Sequence, residues 1–233
     1  MIKVLVNGYK GKMGALATEY LRELSDITVC GTSTSSDDLA EKIQEHTPDV
    51  VLELTTASVA FDNAMLIMSG GARPVIGSSG LRDDDISRLK ALAKARGVSG
   101  AYIPNFSIGA VLMQRLSEAA NKYMKNVDII EWHNKSKIDF PSGTAVHSAS
   151  KLLSEGAFGH SSATIVNNIP IHSVRLFGVV ARQDIIFSEP HEQLTISHIS
   201  LDRACFMEGV ALSIRSVVDS SEFSVGLDSF MTI

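Results

Sequence analysis

The sequence predicts an α/β chain in two parts: a parallel, doubly wound sheet first, then a smaller α+β domain with a mixed sheet. Three observations carry this expectation. Apolar, strand-length runs alternate strictly with helix-period stretches as far as residue 103. A glycine-spaced turn stands between the first strand and the first helix. Beyond residue 123 the periodicity changes, and after one more strand and helix strand-patterned runs follow one another without helices between them.

Residues 2 to 7 read as a short buried strand, and NGYKGKMGALATEYLREL continues as a glycine turn running into an amphipathic helix. Gly8, Gly11 and Gly14 are spaced GxxGxxG. Their expected tasks are a tight turn, a close backbone approach to a pyrophosphate, and close packing of helix on sheet. Lys12 adds a cation beside the phosphates. The arrangement is Rossmann-like. The second strand is expected at Ile27 to Ser33. Its end, where an NAD-binding fold commonly carries an acid for the ribose, reads Ser33, Thr34, Ser35, Ser36, with Asp37 and Asp38 the first acids. Hydroxyls there do not repel a 2′-phosphate, yet no arginine is present to hold one, so NADH and NADPH both stay open.

The alternation continues as helix 37–46, strand 49–55, helix 58–69, strand 74–79, helix 83–96 and strand 99–103. Ligands of such sheets bind at the carboxyl ends of the strands. Three of those ends carry the loops Thr55-Thr56-Ala57-Ser58, Gly77-Ser78-Ser79-Gly80 and Pro104-Asn105-Phe106-Ser107. Each alone is ordinary turn chemistry. At one edge they read together as the floor of a nicotinamide site.

A helix from Ile108 to Tyr123 leads out of this half. Strand 127–133 and helix 142–154 follow, then a segment, 156–170, that reads as a mobile surface loop. SVRLFGVVARQDIIF and EQLTISHISLDRACF alternate as strands, and Cys205 to Val218 is helical again, packing back on the first domain. Between the strand and helix at the centre lies EWHNKSKIDFPSGTA, residues 131 to 145. His133 and Lys137 stand four residues apart, and Pro141-Ser142-Gly143-Thr144 opens the next helix. A helix N-terminus presents unpaired N–H groups and the positive end of a dipole. An isolated P-S-G-T is usually a plain helix cap; beside an imidazole and an amine it reads as an anion cradle next to proton donors.

Composition narrows the classes. With 233 residues, 45% hydrophobic and 20% charged, the chain has ample core for one large domain or two small ones. A formal charge of -5 argues against a nucleic-acid partner. Cys30 and Cys205 lie far apart without CxxC spacing, and no histidine pair has ligand spacing, so neither a disulfide framework nor a metal is expected. The opening MIKVLVNG does not read as a signal peptide and no apolar run is long enough to span a bilayer, so no membrane association and a cytoplasmic location are expected.

With NGYKGKMG, the GSSG and PNFSIG loops, EWHNKSKIDFPSGTA and the region from SVRLFGVVARQDIIF to DRACFMEG assembled, the chain resembles the 4-hydroxy-tetrahydrodipicolinate reductase (dihydrodipicolinate reductase) family over nearly its whole length. The resemblance implies a dinucleotide-binding domain from 1–106 and 207–233, and a domain at 107–206 that binds substrate and builds a homotetramer. It implies that Gly8, Tyr9, Lys10, Gly11, Lys12 and Met13 hold the pyrophosphate of NADPH or NADH, and that Gly77, Ser78 and Ser79 line the nicotinamide side. Ile103, Pro104, Asn105 and Phe106 would close that site. His133 would be the catalytic histidine, Lys137 the proton donor, and Gly143 with Thr144 the cradle for a carboxylate of a small dicarboxylate substrate.

Two positions depart from the family. Asn134 stands where a second histidine is usual, a substrate ligand that hydrogen-bonds but carries no charge. Arg182 replaces another histidine, and its fixed charge could serve the substrate or an intersubunit contact. The segment between the second and third strands is also short, trimming the adenosine side. The implied reaction is reduction of a cyclic imine-type dicarboxylate to tetrahydrodipicolinate with loss of water. Hydride delivery builds negative charge on the ring, which Lys137 would quench while His133 polarises or relays. An amine donates best when burial and neighbouring cations lower its pKa, so such surroundings are expected for Lys137. Trp132 and Phe140 are expected to pack beside the site. Two rivals share this plan: another two-domain dehydrogenase acting on a related imine or semialdehyde, and a non-catalytic nucleotide-binding paralogue.

Overall fold

The computed structural model describes residues 1–154 and 163–232. The chain divides into two compact units, the first Met1–Ser107 with Phe206–Thr232, the second Ile108–Cys205. Unit 1 begins as β1 (Ile2–Asn7), α1 (Lys12–Glu23), β2 (Ile27–Ser33), α2 (Leu39–His46), β3 (Val50–Glu53), α3 (Ala57–Ser69), β4 (Arg73–Ile76), α4 (Asp83–Arg96) and β5 (Gly100–Tyr102). The chain then builds unit 2 as α5 (Ile108–Ala120), β6 (Val127–Asn134), α6 (Gly143–Lys151), β7 (Thr164–Val166), β8 (Ile169–Leu176), β9 (Ala181–Glu189) and β10 (Glu192–Ser200). It returns to unit 1 with α7 (Met207–Asp219) and β11 (Phe223–Val225).

In unit 1 six strands run in the order β11-β5-β4-β3-β1-β2, every pair parallel. A strand covered on both faces needs no polar alternation, and β3 is buried at each of its four residues. The chain steps from β1 outward to β2 and then back across to β3, so the order reverses between β1 and β3. That reversal opens a crevice at the carboxyl ends of those two strands. Helix starts follow local chemistry. The expected helix from 37 begins at Leu39 because the Asp38 carboxylate caps it, accepting from the N–H groups of Ala40 (2.8 Å) and Glu41 (3.2 Å). The last strand, β11, pairs with β5 at the sheet edge and was not expected from the pattern. Three residues are too few to display a period.

Unit 2 is a five-stranded sheet ordered β10-β9-β6-β8-β7. Only β6 and β8 pair in parallel, so the sheet is mixed, as expected. Along β6 the burial alternates, with Val127, Ile129 and Glu131 buried on one face. That face joins Met113 of α5 and Ala145, Ala149 and Leu152 around the core built on Phe187 and Ile185. Part of the segment expected as a loop is structured. Val166 pairs with Ile169 across Asn167 and Asn168, both at positive φ (51° and 62°), a two-residue hairpin turn that asparagine tolerates. Positions 156–162 of that expectation lie outside the described residues. The helix expected to reach Tyr123 ends at Ala120, where Met124 and Tyr123 fold back onto the Ala120 carbonyl and Tyr123 is left exposed. Among the described residues no helix is long and apolar enough to cross a membrane.

Candidate functional site

The glycine turn of unit 1 is built so that side chains cannot enter it. Gly8 has φ +87°, and a Cβ there would lie 2.6 Å from the Leu54 carbonyl oxygen at the end of β3. Its N–H donates to Ser33 (2.9 Å), and the Gly11 N–H donates back to the Gly8 carbonyl (2.9 Å). A Cβ on Gly14 would sit 2.8 Å from the Gly8 carbonyl carbon and from Tyr9 Cα, so the first turn of α1 rests directly on the loop. Gly11 is the N-cap and offers no side-chain acceptor, and the first turn holds no acid. The N–H groups at Lys12 and Met13 therefore have no partner within the helix. Lys12 and Lys10 are exposed, and the Lys10 ammonium lies 5.9 Å over the Tyr9 ring.

The three loops at the carboxyl edge meet. A Cβ on Gly77 would lie 2.5 Å from Phe106 and 2.6 Å from Leu54, and the Gly80 N–H donates to the Tyr102 hydroxyl (3.2 Å). Ser78 is buried, and its hydroxyl has no hydrogen-bond partner among the described residues. Asn105 accepts from the Ser107 N–H (2.9 Å), fixing the last loop. Ile103 is wholly buried and its N–H donates to the Ile76 carbonyl (2.8 Å), whereas Pro104 is exposed. The open helix start, the backbone cradle at Gly8 and the unpartnered Ser78 hydroxyl all fit a dinucleotide. Both acids after β2 are already committed. Asp38 caps α2, and Asp37 accepts from the Thr34 N–H and hydroxyl (both 2.8 Å), bonds that hold its carboxyl below the usual range.

A residue not singled out in the sequence underlies this edge. Glu53 ends β3 fully buried, and its carboxylate accepts from Asn7 (2.6 Å), Asn63 (3.2 Å) and the Thr55 N–H (3.0 Å). Burial pushes the carboxyl up, against the pull of those donors. It joins the residue before Gly8 to the loop after β3. An acid closing an otherwise apolar strand was the available signal.

In unit 2 the central motif folds as strand, loop and helix. His133 lies near the end of β6, and its Nδ1 meets the Oε2 of Glu131, two residues back on the same face. Glu131 is wholly buried. Its Oε1 accepts from Arg175 Nη2 (2.9 Å), which also donates to the Asp139 carbonyl (2.7 Å). Burial alone pushes the Glu131 carboxyl up, but hydrogen bonds from His133, Arg175 and Ser173 outweigh it and bring it down to about 2. Lys137 does not have the cationic surroundings expected of it. Its ammonium is held by both carboxylate oxygens of Asp139 (2.8 and 2.7 Å), which in turn lowers the Asp139 carboxyl.

Asn134 shapes the loop between them: its Oδ1 accepts from the Ser136 N–H (3.1 Å) and hydroxyl (2.9 Å), and its carbonyl takes the Lys137 N–H (3.0 Å). What remains for a ligand is the Nδ2 donor. Ser142 caps α6 by accepting from Ala145 (3.2 Å), which leaves the N–H groups of Gly143 and Thr144 outside the cap. The Thr144 carbonyl accepts from Ser148, whose Oγ also takes Gln114 (3.1 Å) and Gln183 (2.8 Å), so α5 and β9 brace the cradle.

Arg182 pairs across from Trp132, on the sheet face opposite His133, stacked 4.7 Å over the indole and bidentate to Asp184 (3.0 and 2.7 Å). Its charge is thus committed to Asp184 on that face. Phe140 is 72% exposed in place of the expected packing.

Two family models match, "Dihydrodipicolinate reductase, N-terminus" over residues 2–106 and "Dihydrodipicolinate reductase, C-terminus" over 109–231. A 4-hydroxy-tetrahydrodipicolinate reductase of Legionella pneumophila (strain Lens) is 38% identical over 244 residues, covering 98% of this chain and 99% of the relative. One from Coxiella burnetii (strain RSA 493 / Nine Mile phase I) is 38% identical over 237 residues, covering 99% of each. Among solved structures, a dipicolinate-bound dihydrodipicolinate reductase from Paenisporosarcina sp. TG-14 superposes with a TM-score of 0.90 at 31% identity, over 99% of this chain and 100% of that one. An amine dehydrogenase from Mycobacterium smegmatis, at 12% identity and TM-score 0.69 over 97% and 95%, shares the fold.

Proposed function

Because this chain belongs to the dihydrodipicolinate reductase family, we propose a division of labour among its own residues in the family's reaction. The protein is an NAD(P)H-dependent oxidoreductase, a 4-hydroxy-tetrahydrodipicolinate reductase of lysine and diaminopimelate biosynthesis. When bound, the reduced nicotinamide supplies the hydride.

Gly8 and Gly11 let the pyrophosphate approach the backbone, and the N–H groups at Lys12 and Met13 receive its charge. Tyr9 and Lys10 flank it. Gly77, Ser78 and Ser79 line the nicotinamide side, the Ser78 hydroxyl gaining the partner it lacks within the protein. Pro104, Asn105 and Phe106 close the site, with Ile103 buried behind them. Unit 2 takes the dicarboxylate: Gly143 and Thr144 bind one carboxylate through their N–H groups, and Asn134 adds its Nδ2 donor. Lys137 Nζ carries the proton that quenches charge on the ring, with Asp139 holding the ammonium in place. A carboxylate only accepts, so His133 keeps its proton on Nδ1 toward Glu131 and turns Nε2 to the substrate. Homotetramer assembly and a cytoplasmic location belong to the same proposal and are supported by the family alone.

The observation that carries this reading is His133, Lys137 and an intact D-x-P-S-G-T-A folded as one strand-loop-helix unit inside a family match over nearly the whole chain. The test follows oxidation of NADH and of NADPH separately, with substrate generated from pyruvate and aspartate semialdehyde by the upstream synthase. Wild type should turn over, and His133→Gln and Lys137→Met should lose turnover while still binding NAD(P)H. Cofactor binding with no turnover by wild type would refute the assignment, and light scattering of the same sample checks the tetramer.

A further inference from the structure

We infer that Glu131 and Arg175 are positioning residues behind the two reacting groups: Glu131 fixes which nitrogen of His133 holds the proton, and Arg175 couples that imidazole to the loop bearing Lys137. The inference rests on the reductase reading above.

The contacts form a continuous chain from one group to the other. His133 Nδ1 meets Glu131 Oε2, and Glu131 Oε1 accepts from Arg175 Nη2 at 2.9 Å. The same Nη2 donates to the Asp139 carbonyl at 2.7 Å, and the Asp139 carboxylate grips Lys137 Nζ. The ladder keeps the chain in register, because β6 and β8 pair with His133 opposite Arg175 and Glu131 opposite Ser173.

Chemistry gives each link one direction. An ionised carboxylate accepts and cannot donate, so Nδ1 must be the protonated nitrogen of a neutral His133 and Nε2 the one left over. A guanidinium donates in a fixed planar fork, so one Nη2 can serve two acceptors in different segments at once, which a lysine ammonium at the same place cannot do with the same geometry. Glu131 is wholly buried, and a buried carboxylate persists only when paired and hydrogen-bonded. His133, Arg175 and Ser173 together meet that condition, and the carboxyl stays ionised across the working pH range. Asp139 is the contrast: its side chain is 64% exposed, so water shares the task of solvating it and its hold on Lys137 is the loose end of the chain.

The test joins two readouts. The first is the ¹⁵N shift pair of the His133 ring, taken at a pH where the ring is neutral, in wild type and in Glu131→Gln. The second is kcat and the KM for NAD(P)H, with substrate generated by the upstream synthase. Wild type should show Nδ1 protonated. In Glu131→Gln the amide oxygen stays with Arg175 and its NH2 faces the ring, so that fixation should be lost and kcat should fall at least about 10-fold, the lower bound found for carboxylates that orient metal-bound imidazoles. KM for NAD(P)H, set in unit 1, should hold. Arg175→Lys should lower kcat while His133 keeps its tautomer, which separates coupling from tautomer control. A purely structural role would lower the melting temperature without moving the tautomer. An Nε2-protonated His133 in wild type, or wild-type kcat in Glu131→Gln, overturns the inference. Should Glu131→Gln fail to fold, the wild-type tautomer and the kcat of Arg175→Lys decide it. A wild type without turnover would instead sink the reductase reading, and the tautomer would still decide the role of Glu131.

Discussion

Replacing Gly14 by alanine sets two physical effects against each other with opposite signs. Gly14 lies inside α1, where alanine is favoured over glycine by helix propensity. Nothing in its conformation demands glycine, since it is not among the positive-φ residues. The structure supplies the opposing effect: a Cβ there would stand 2.8 Å from both the Gly8 carbonyl carbon and Tyr9 Cα. Those atoms are main chain, so no rotamer change relieves the clash; either α1 lifts or the loop moves. Overpacking costs up to about 3 kcal/mol and propensity returns about 1, so the net destabilisation is up to about 2 kcal/mol, or up to roughly 4–8 °C in melting temperature. The loop that moves is the proposed pyrophosphate cradle, so NADH affinity should fall at least about tenfold, or about 1.4 kcal/mol. Thermal melts and a fluorescence titration with NADH on the same preparations decide it. A Gly14→Ala protein that melts higher than wild type and binds NADH equally well would show that the close approach of α1 to the loop is not a constraint.

Three further outcomes follow from the same geometry. Glu53→Ala strands the buried donor of Asn7, at about 1–3 kcal/mol, and frees the half-buried donors of Asn63 and Thr55; it should lower the melting temperature and raise KM for NAD(P)H, and an unchanged KM would remove Glu53 from the support of the proposed cofactor loop. The folded-state pKa of Glu131 is depressed to about 2, so its stabilisation is present above the unfolded carboxyl value and is lost as pH falls from about 4.5 toward 2. Urea titrations should therefore show the gap between wild type and Glu131→Gln narrowing over that acid range, and a constant gap would contradict the ionised assignment. Arg182→Ala, on the face opposite His133, should leave KM for substrate within about twofold, as surface changes away from a site usually do; a large rise would place Arg182 at the substrate after all.

Much of the fold was legible because it is written locally. Unit 1 spells its strands as apolar runs and its helices as periodic stretches, and at α2 the Asp38 cap explains why the helix starts two residues after the expected position. The hairpin of β7 and β8 was missed because its turn is Asn-Asn, without the glycine that usually flags positive φ at both turn positions. The edge strand β11 was missed because three residues gain their identity only by pairing with β5, about 120 positions earlier in the chain.

The site shows the same division between what is local and what is not. His133, Lys137 and the Ser142-Gly143-Thr144 start of α6 share one stretch of chain, so their association needs no knowledge of tertiary pairing. Glu131 was half visible, since residues two apart on a strand share a face. Arg175 was not, because it reaches Glu131 from 44 positions away, through a parallel register that no spacing announces. The same limit explains why Lys137 was expected among cations. Composition places cations nearby, but only the folded loop shows that Asp139, two residues on, turns its carboxylate back onto the amine. Carboxylates thus stand beside both His133 and Lys137, and they differ in burial. Glu131, sealed and held also by Arg175, stays where the strand puts it, so it fixes geometry. Asp139 lies largely in water, so Lys137 can exchange it for another anion at little cost. Exposure, more than charge, separates a partner that stays through the reaction from one that can give way to the ligand.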